Sequence, residues 1–167
     1  MNFKKIVLLF SFCIIACSIH SQMRLQEDSI NAIDLISKKV KSLEDAGAVN
    51  IMYLFSDAGN IAIVYENNNK IKAIKSYYKG KESSKFRTLK LSKDDKSIYS
   101  KCISLARKDT IVNLSNCKEF VHSFNTIFFK IGTKSGVAKG HFTSDCANVL
   151  EMNNMLCLYS IYKQLLL

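Results

Sequence analysis

Two cysteines and two histidines in the second half of the chain are spaced as if they could share chemistry. Cys117-x4-His122 and His141-x4-Cys146 form a mirrored pair. Zinc accepts two thiolates and two imidazoles in a tetrahedron. The same residues hold the parts of a thiol nucleophile, with Cys117 beside His122 or His141 and Asn125 or Asn148 as orienting group. Neither pattern completes itself. Residues five apart do not share a helix face, and the spacing matches no compact zinc knuckle. Nothing around Cys117 resembles the signature of a cysteine hydrolase. Carboxylates add no acid–base pair, because Glu27, Asp28, Asp34, Glu44 and Asp45 crowd one amphipathic segment and keep its outer side wet. The expectation is a non-catalytic protein with no metal and no cofactor.

Two further motif matches fail on context. Ser115-x-x-Lys118, Ser123-x-Asn125 and Lys134-Ser135-Gly136 follow the motif order of penicillin-recognising serine enzymes. In that family the motifs come from separate elements of a far larger fold, whereas here they sit within 22 residues. Gly132-Thr133-Lys134-Ser135-Gly136 lacks the Gly-Lys-[Ser/Thr] ending of a phosphate loop.

Charge is the most distinctive feature. The 167 residues carry +10, with 24 Lys and Arg against 14 Asp and Glu. Residues 70–108 alone hold thirteen basic residues against three acids, an excess as large as that of the whole chain. Strand alternation is expected to turn Lys70, Lys72, Lys85 and Arg87 away from the first helix. With Lys93 and Lys96 they would line one continuous face for an anionic partner. Only three of the 24 basic residues are Arg, and bidentate phosphate recognition prefers Arg, so nucleic acid is not the expected target.

Export points the same way. Lys4 and Lys5 precede an apolar run from Ile6 to Cys17, the pattern of a secretory signal. The run is shorter than the roughly 20 residues a bilayer span needs, and no later segment qualifies. Two cleavage products compete. Ile14-Ile15-Ala16-Cys17 resembles a bacterial lipoprotein box that would lipidate Cys17, whereas a cut after Ser21 leaves Gln22 first. Residues 1–21 are read as a leader and 22–167 as one domain, periplasmic or secreted, and tethered only if Cys17 is lipidated.

The mature chain keeps Cys102, Cys117, Cys146 and Cys157, in a compartment that permits disulfides. A continuous helix over 145–164 would hold Cys146 and Cys157 about 16 Å apart, beyond the ~7 Å limit of a bridge. Cys102 and Cys157 fall in apolar helical patterns that suit core residues. Because the chain can turn back between them, Cys102–Cys117 is the expected disulfide.

The elements that must position these residues follow from periodicity. Ile30, Ile33, Ile36, Val40 and Leu43 recur at helical spacing, predicting a helix over 27–46 that Gly47 ends. Strands are predicted at 49–55, 60–65, 70–78 and 85–91, joined by turns at Ser56–Gly59 and Asn67–Asn69. Such short connections imply an antiparallel meander. Ser92 or Asp94 caps a second helix reaching about Arg107, with Ile98, Cys102 and Leu105 inward. Residues 110–124 are ambiguous between strand and turn, with a helical turn possible over 117–122. A hairpin over 126–131 and 137–142 and a buried C-terminal helix carrying Val149, Met152, Leu156, Tyr159 and Tyr162 complete the chain. A helix followed by a four-stranded meander resembles the cystatin-like element order, which implies nothing about function. The fold class is therefore α+β, an N-terminal helix on a mainly antiparallel sheet. The function expected is binding of a protein or ligand in the cell envelope or outside the cell. A polyanion- or membrane-surface role ranks second, and a Cys- or metal-dependent hydrolase third.

Overall fold

The helix predicted first is also the first element among the described residues. In the computed structural model the described residues are 31–79, 82–83, 85–107, 109–115, 117 and 125–166. The expected leader with Cys17, the predicted helix start at 27, and Lys118, His122 and Ser123 lie outside them. Helix α1 covers residues 31–45, and the Gly47 N–H closes onto the Glu44 carbonyl at 2.9 Å with φ +81°, as a glycine stop should.

The meander follows: β1 (Val49–Ser56), β2 (Asn60–Asn67) and β3 (Lys70–Lys79), paired antiparallel in order. Asn68 and Asn69 both take positive φ at the β2–β3 turn, which few other residues tolerate. Of the fourth predicted strand, over 85–91, the structure forms β5 (Arg87–Leu89), which pairs with the free edge of β3 together with β4 (Glu82–Ser83), a short piece that precedes the predicted range. Helix α2 (Lys93–Ala106) is capped by Ser92, whose side chain accepts from the Asp95 N–H while the Asp95 carboxylate accepts from the Ser92 N–H.

The ambiguous stretch contains β6 (Ile111–Leu114), and the hairpin is β7 (Thr126–Thr133) with β8 (Gly136–Thr143). The sheet runs β4-β3-β2-β1-β7-β8-β6, with β5 also on β3. All pairings are antiparallel except β6 with β8. The fold is α+β, with an N-terminal helix, a mostly antiparallel sheet and a C-terminal helix.

Side-chain alternation divides the core in two. One face carries Met52, Leu54, Val64, Ala73, Ile127, Phe129, Ile131 and Phe142 under α2 and the C-terminal helices. The other carries Ile51, Phe55, Ile61, Ile63, Ile74 and Tyr78 under α1, through Ala32, Ile36 and Leu43. Ile33, expected inward, is 49% exposed on the flank of α1.

The single C-terminal helix is corrected to two, α3 (Ala147–Met152) and α4 (Leu156–Leu166). Asn154 breaks them at φ +57°, and the Asn153 side chain donates to the Val149 carbonyl at 2.8 Å. The stripe shifts accordingly. Leu150, Leu158, Ile161, Tyr162 and Leu165 are buried, while Met152 is 75% exposed. No described helix is long and apolar enough to cross a membrane.

Candidate ligand cleft beside the first helix

The cysteines pair differently from the expectation. Cys117 is bonded to Cys146, not to Cys102. The Cys146 sulfur sits 3.2 Å from the Thr143 hydroxyl, which also hydrogen-bonds the Asp145 carboxylate. Cys102 and Cys157 keep free thiols. The mirrored Cys and His pattern therefore cannot supply two thiolates. His141 also lies across the sheet from Cys146, paired with Phe128 at 5.9 Å between ring centroids. Asn125 donates to the Tyr162 hydroxyl at 3.5 Å, and Asn148 is exposed on α3. Among the described residues no three His, Cys, Asp or Glu side chains gather as a metal site.

The expected basic face is divided by the sheet. Lys70 and Lys72 have the parity of Ile74 and Tyr78, so they share the face of α1. That corrects their expected direction. The Lys72 ammonium donates to the Asn67 side-chain oxygen at 3.1 Å on this side. Arg87 is registered opposite Lys75, next to the Ala73–Leu89 pair, and faces α2. Lys93 and Lys96 are exposed on the first turn of α2, and Lys85 is exposed in the β4–β5 connection. All six side chains reach solvent, but they do not form one continuous face.

A different site emerges from how little of the sheet α1 covers among the described residues. Its apolar residues pack over β1, β2 and β3. On the same face, β7, β8 and β6 present Phe128, Val137 and Ile111, which are 37%, 37% and 67% exposed. Register aligns these positions in three rows. Ile51, Gly132 and Val137 form the first row, and Tyr53, Lys130, Lys139 and Ile111 the second. Phe55, Phe128, His141 and Asn113 form the third, with the Phe55 and Phe128 rings 5.8 Å apart.

Where the flank of α1 meets the first two rows there is a cleft of about 340 Å³. Val40 and Glu44 form its helix wall, Ile51, Tyr53 and Gly132 its floor, and Val137 and Lys134 its far rim. Gly132 is why the floor is open. An added Cβ there would touch only the Ile51 carbonyl oxygen, at 3.9 Å, so backbone geometry does not demand glycine. Burial raises the Tyr53 pKa, so its phenol stays neutral and can donate a hydrogen bond. Lys130 stands directly opposite Lys139, and like charges opposed across a strand pair destabilise unless something offsets them. The exposed Lys134 adds a third ammonium at the adjoining turn.

None of these cleft residues was selected from sequence. The available signal was Phe128, an aromatic on the outward side of a strand whose inward residues are Ile127, Phe129 and Ile131. Comparison with protein-family models, with curated proteins and with solved structures finds no match for this chain.

Proposed function

We propose that this is an exported, non-catalytic binding module that holds a small amphiphilic anion against the open half of the sheet. The observation that carries the reading is the opposed Lys130–Lys139 pair set among uncovered apolar side chains. An anionic head relieves the repulsion between the ammonium groups, and an apolar body fills the cleft over Ile51, Gly132 and Val137. The volume falls within the range of small-molecule sites, which are mostly apolar with a few placed polar groups. Export is supported by the leader and by the Cys117–Cys146 bridge, which persists in oxidising compartments. The alternative, a basic surface for polyanions, is less supported because the sheet separates Lys70 and Lys72 from Arg87.

Calorimetric titration with decanoate, decanol and decyltrimethylammonium tests the reading. Decanoate should bind most tightly and the quaternary ammonium least. Gly132→Val places a β-branched side chain into the floor of the cleft, which a strand accommodates. It should leave the unfolding temperature unchanged or higher and weaken decanoate at least about tenfold. Changing Lys130 and Lys139 together to Gln should abolish the preference for decanoate over decanol. Unaltered decanoate binding by Gly132→Val would reject the cleft. If decanoate fails to bind while anionic vesicles retain the protein, and lose it when Lys70, Lys72, Lys85 and Arg87 become Gln, the polyanion reading replaces this one.

A further inference from the structure

Outside the cleft and the bridge, the described residues hold one more pair of reactive groups. Cys102 lies on α2 with no accessible surface, and Cys157 lies half-buried in the first turn of α4. The two helices pack together on the same sheet face, and Cys157 packs against the buried cluster that contains Cys102, near enough for each thiol to perturb the other. The geometry points to a dithiol site: Cys102 and Cys157 close into a second disulfide that staples α2 to α4, by exchange with an external disulfide.

The two sulfurs are not equivalent, and the difference sets the order of events. The Cys157 thiol is held below its ordinary range, chiefly by the hydrogen bond from Cys102. Its partial burial opposes this, while the N–H groups of Leu158 and Cys157 and the charge of Lys101 assist. Cys102 is pushed up, first by burial and then by Cys157. A thiolate is the attacking species in exchange, and access decides which sulfur attacks. Cys157 therefore attacks one sulfur of the incoming disulfide and forms a mixed disulfide as the first thiolate leaves. Cys102 then gives up its proton and attacks the Cys157 sulfur, expelling the second thiolate. Two protons and two electrons pass from the pair to the external disulfide, which leaves as two thiols. A bulky reagent cannot reach Cys102 directly, so the reaction has one entrance.

The mature full-length chain, its Cys117–Cys146 bridge intact, is incubated with glutathione disulfide, quenched in acid and mapped as unreduced peptides. Wild type should yield a Cys102–Cys157 cross-linked peptide and no free thiol after unfolding. Cys102→Ala should stop at a glutathione adduct on Cys157, and Cys157→Ala should leave Cys102 unmodified. A stable glutathione adduct on Cys157 in wild type would overturn the proposal, as would two free thiols after prolonged incubation. The wild-type map decides the matter even if a variant fails to fold.

Discussion

Replacing Cys117 and Cys146 together by Ala measures what the observed bridge contributes. The perturbation is made in a Cys102→Ala, Cys157→Ala background, so that no other pairing can substitute. The bridge closes a loop of sequence separation 29. Chain-entropy reasoning for that length gives about 3.6 kcal/mol of stability, lost when the unfolded chain is no longer cross-linked. Cys146 is fully buried, so its truncation adds a small packing cost and cannot reduce the loss. Urea unfolding followed by circular dichroism reads the difference as a lower extrapolated stability and midpoint, with a steeper slope because the unfolded chain expands once it is no longer cross-linked. The same loss should lower Tm by roughly 7–14 °C, at 2–4 °C for each kcal/mol in a chain of this size. A loss under about 1 kcal/mol would refute the reasoning. It would mean that the bridge is absent in solution, or that residual structure already restrains the unfolded loop. In the native background the expected Cys102–Cys117 pairing makes the opposite prediction, namely that Cys146→Ala leaves an intact bridge. Mapping unreduced peptides from the wild type separates the two pairings without a stability measurement.

Three other outcomes follow from the packing. Gly140→Ala should destabilise by about 3 kcal/mol or more in denaturant titration. Gly140 has φ +148°, and its added Cβ would overlap the Val112 carbonyl oxygen, with Val112 C at 2.6 Å and N at 2.9 Å, forcing β6 off β8. Tyr99→Phe should cost about 1–3 kcal/mol in the same assay, because the buried Tyr99 hydroxyl donates to the Asn50 carbonyl, where the chain takes φ +50°. Burial raises the pKa of both Tyr53 and Tyr99 above the ordinary 10.0, and nearby Glu66 raises Tyr99 further. A raised folded-state pKa contributes stability that is full below the unfolded value and falls as pH rises through the folded one. Phenolate absorbance of these two tyrosines should accordingly appear at alkaline pH only as the protein unfolds. Reversible titration of all tyrosines near 10.0 in the folded state would contradict their burial.

Local rules carried much of the fold, and they failed where distance along the chain mattered. The meander was legible because Ser56–Gly59 and Asn67–Asn69 are turn sequences between alternating strands, and short turns leave no choice of neighbour. Ser92 or Asp94 announced the start of α2 as a local cap signal, and the structure selects Ser92, with Asp95 completing the cap. The C-terminal helix was misread because apolar residues continue through Asn153 and Asn154, and hydropathy does not record that Asn adopts positive φ. The disulfide was misassigned for a separate reason. Cys102–Cys117 was favoured because the chain can turn back between them, whereas Cys117 bonds Cys146 at a sequence separation of 29. The parallel β6 was invisible for a related reason, since its partner is not the next strand but the one after it.

The cleft was illegible because it is defined by what α1 leaves uncovered. A helix is about 10–12 Å across and strands lie about 4.8 Å apart, so one helix shields two or three strands. The sheet path has seven, so among the described residues the one helix on this face leaves strands open. Which strands stay open depends on β1 pairing with β7, a contact between distant segments that no local pattern encodes. The lysine pair needed finer information still. Reading residues 132–136 as a five-residue turn leaves the hairpin register undetermined. The observed turn is tighter, with Thr133 opposite Gly136 and only Lys134 and Ser135 between them. That register sets Lys130 against Lys139; slipped by one residue, Lys130 would oppose Ala138 or Gly140, and the charge pair would vanish. The ligand reading therefore depends on two turn residues, and lengthening that turn by one residue should impair decanoate binding by moving the pair out of register.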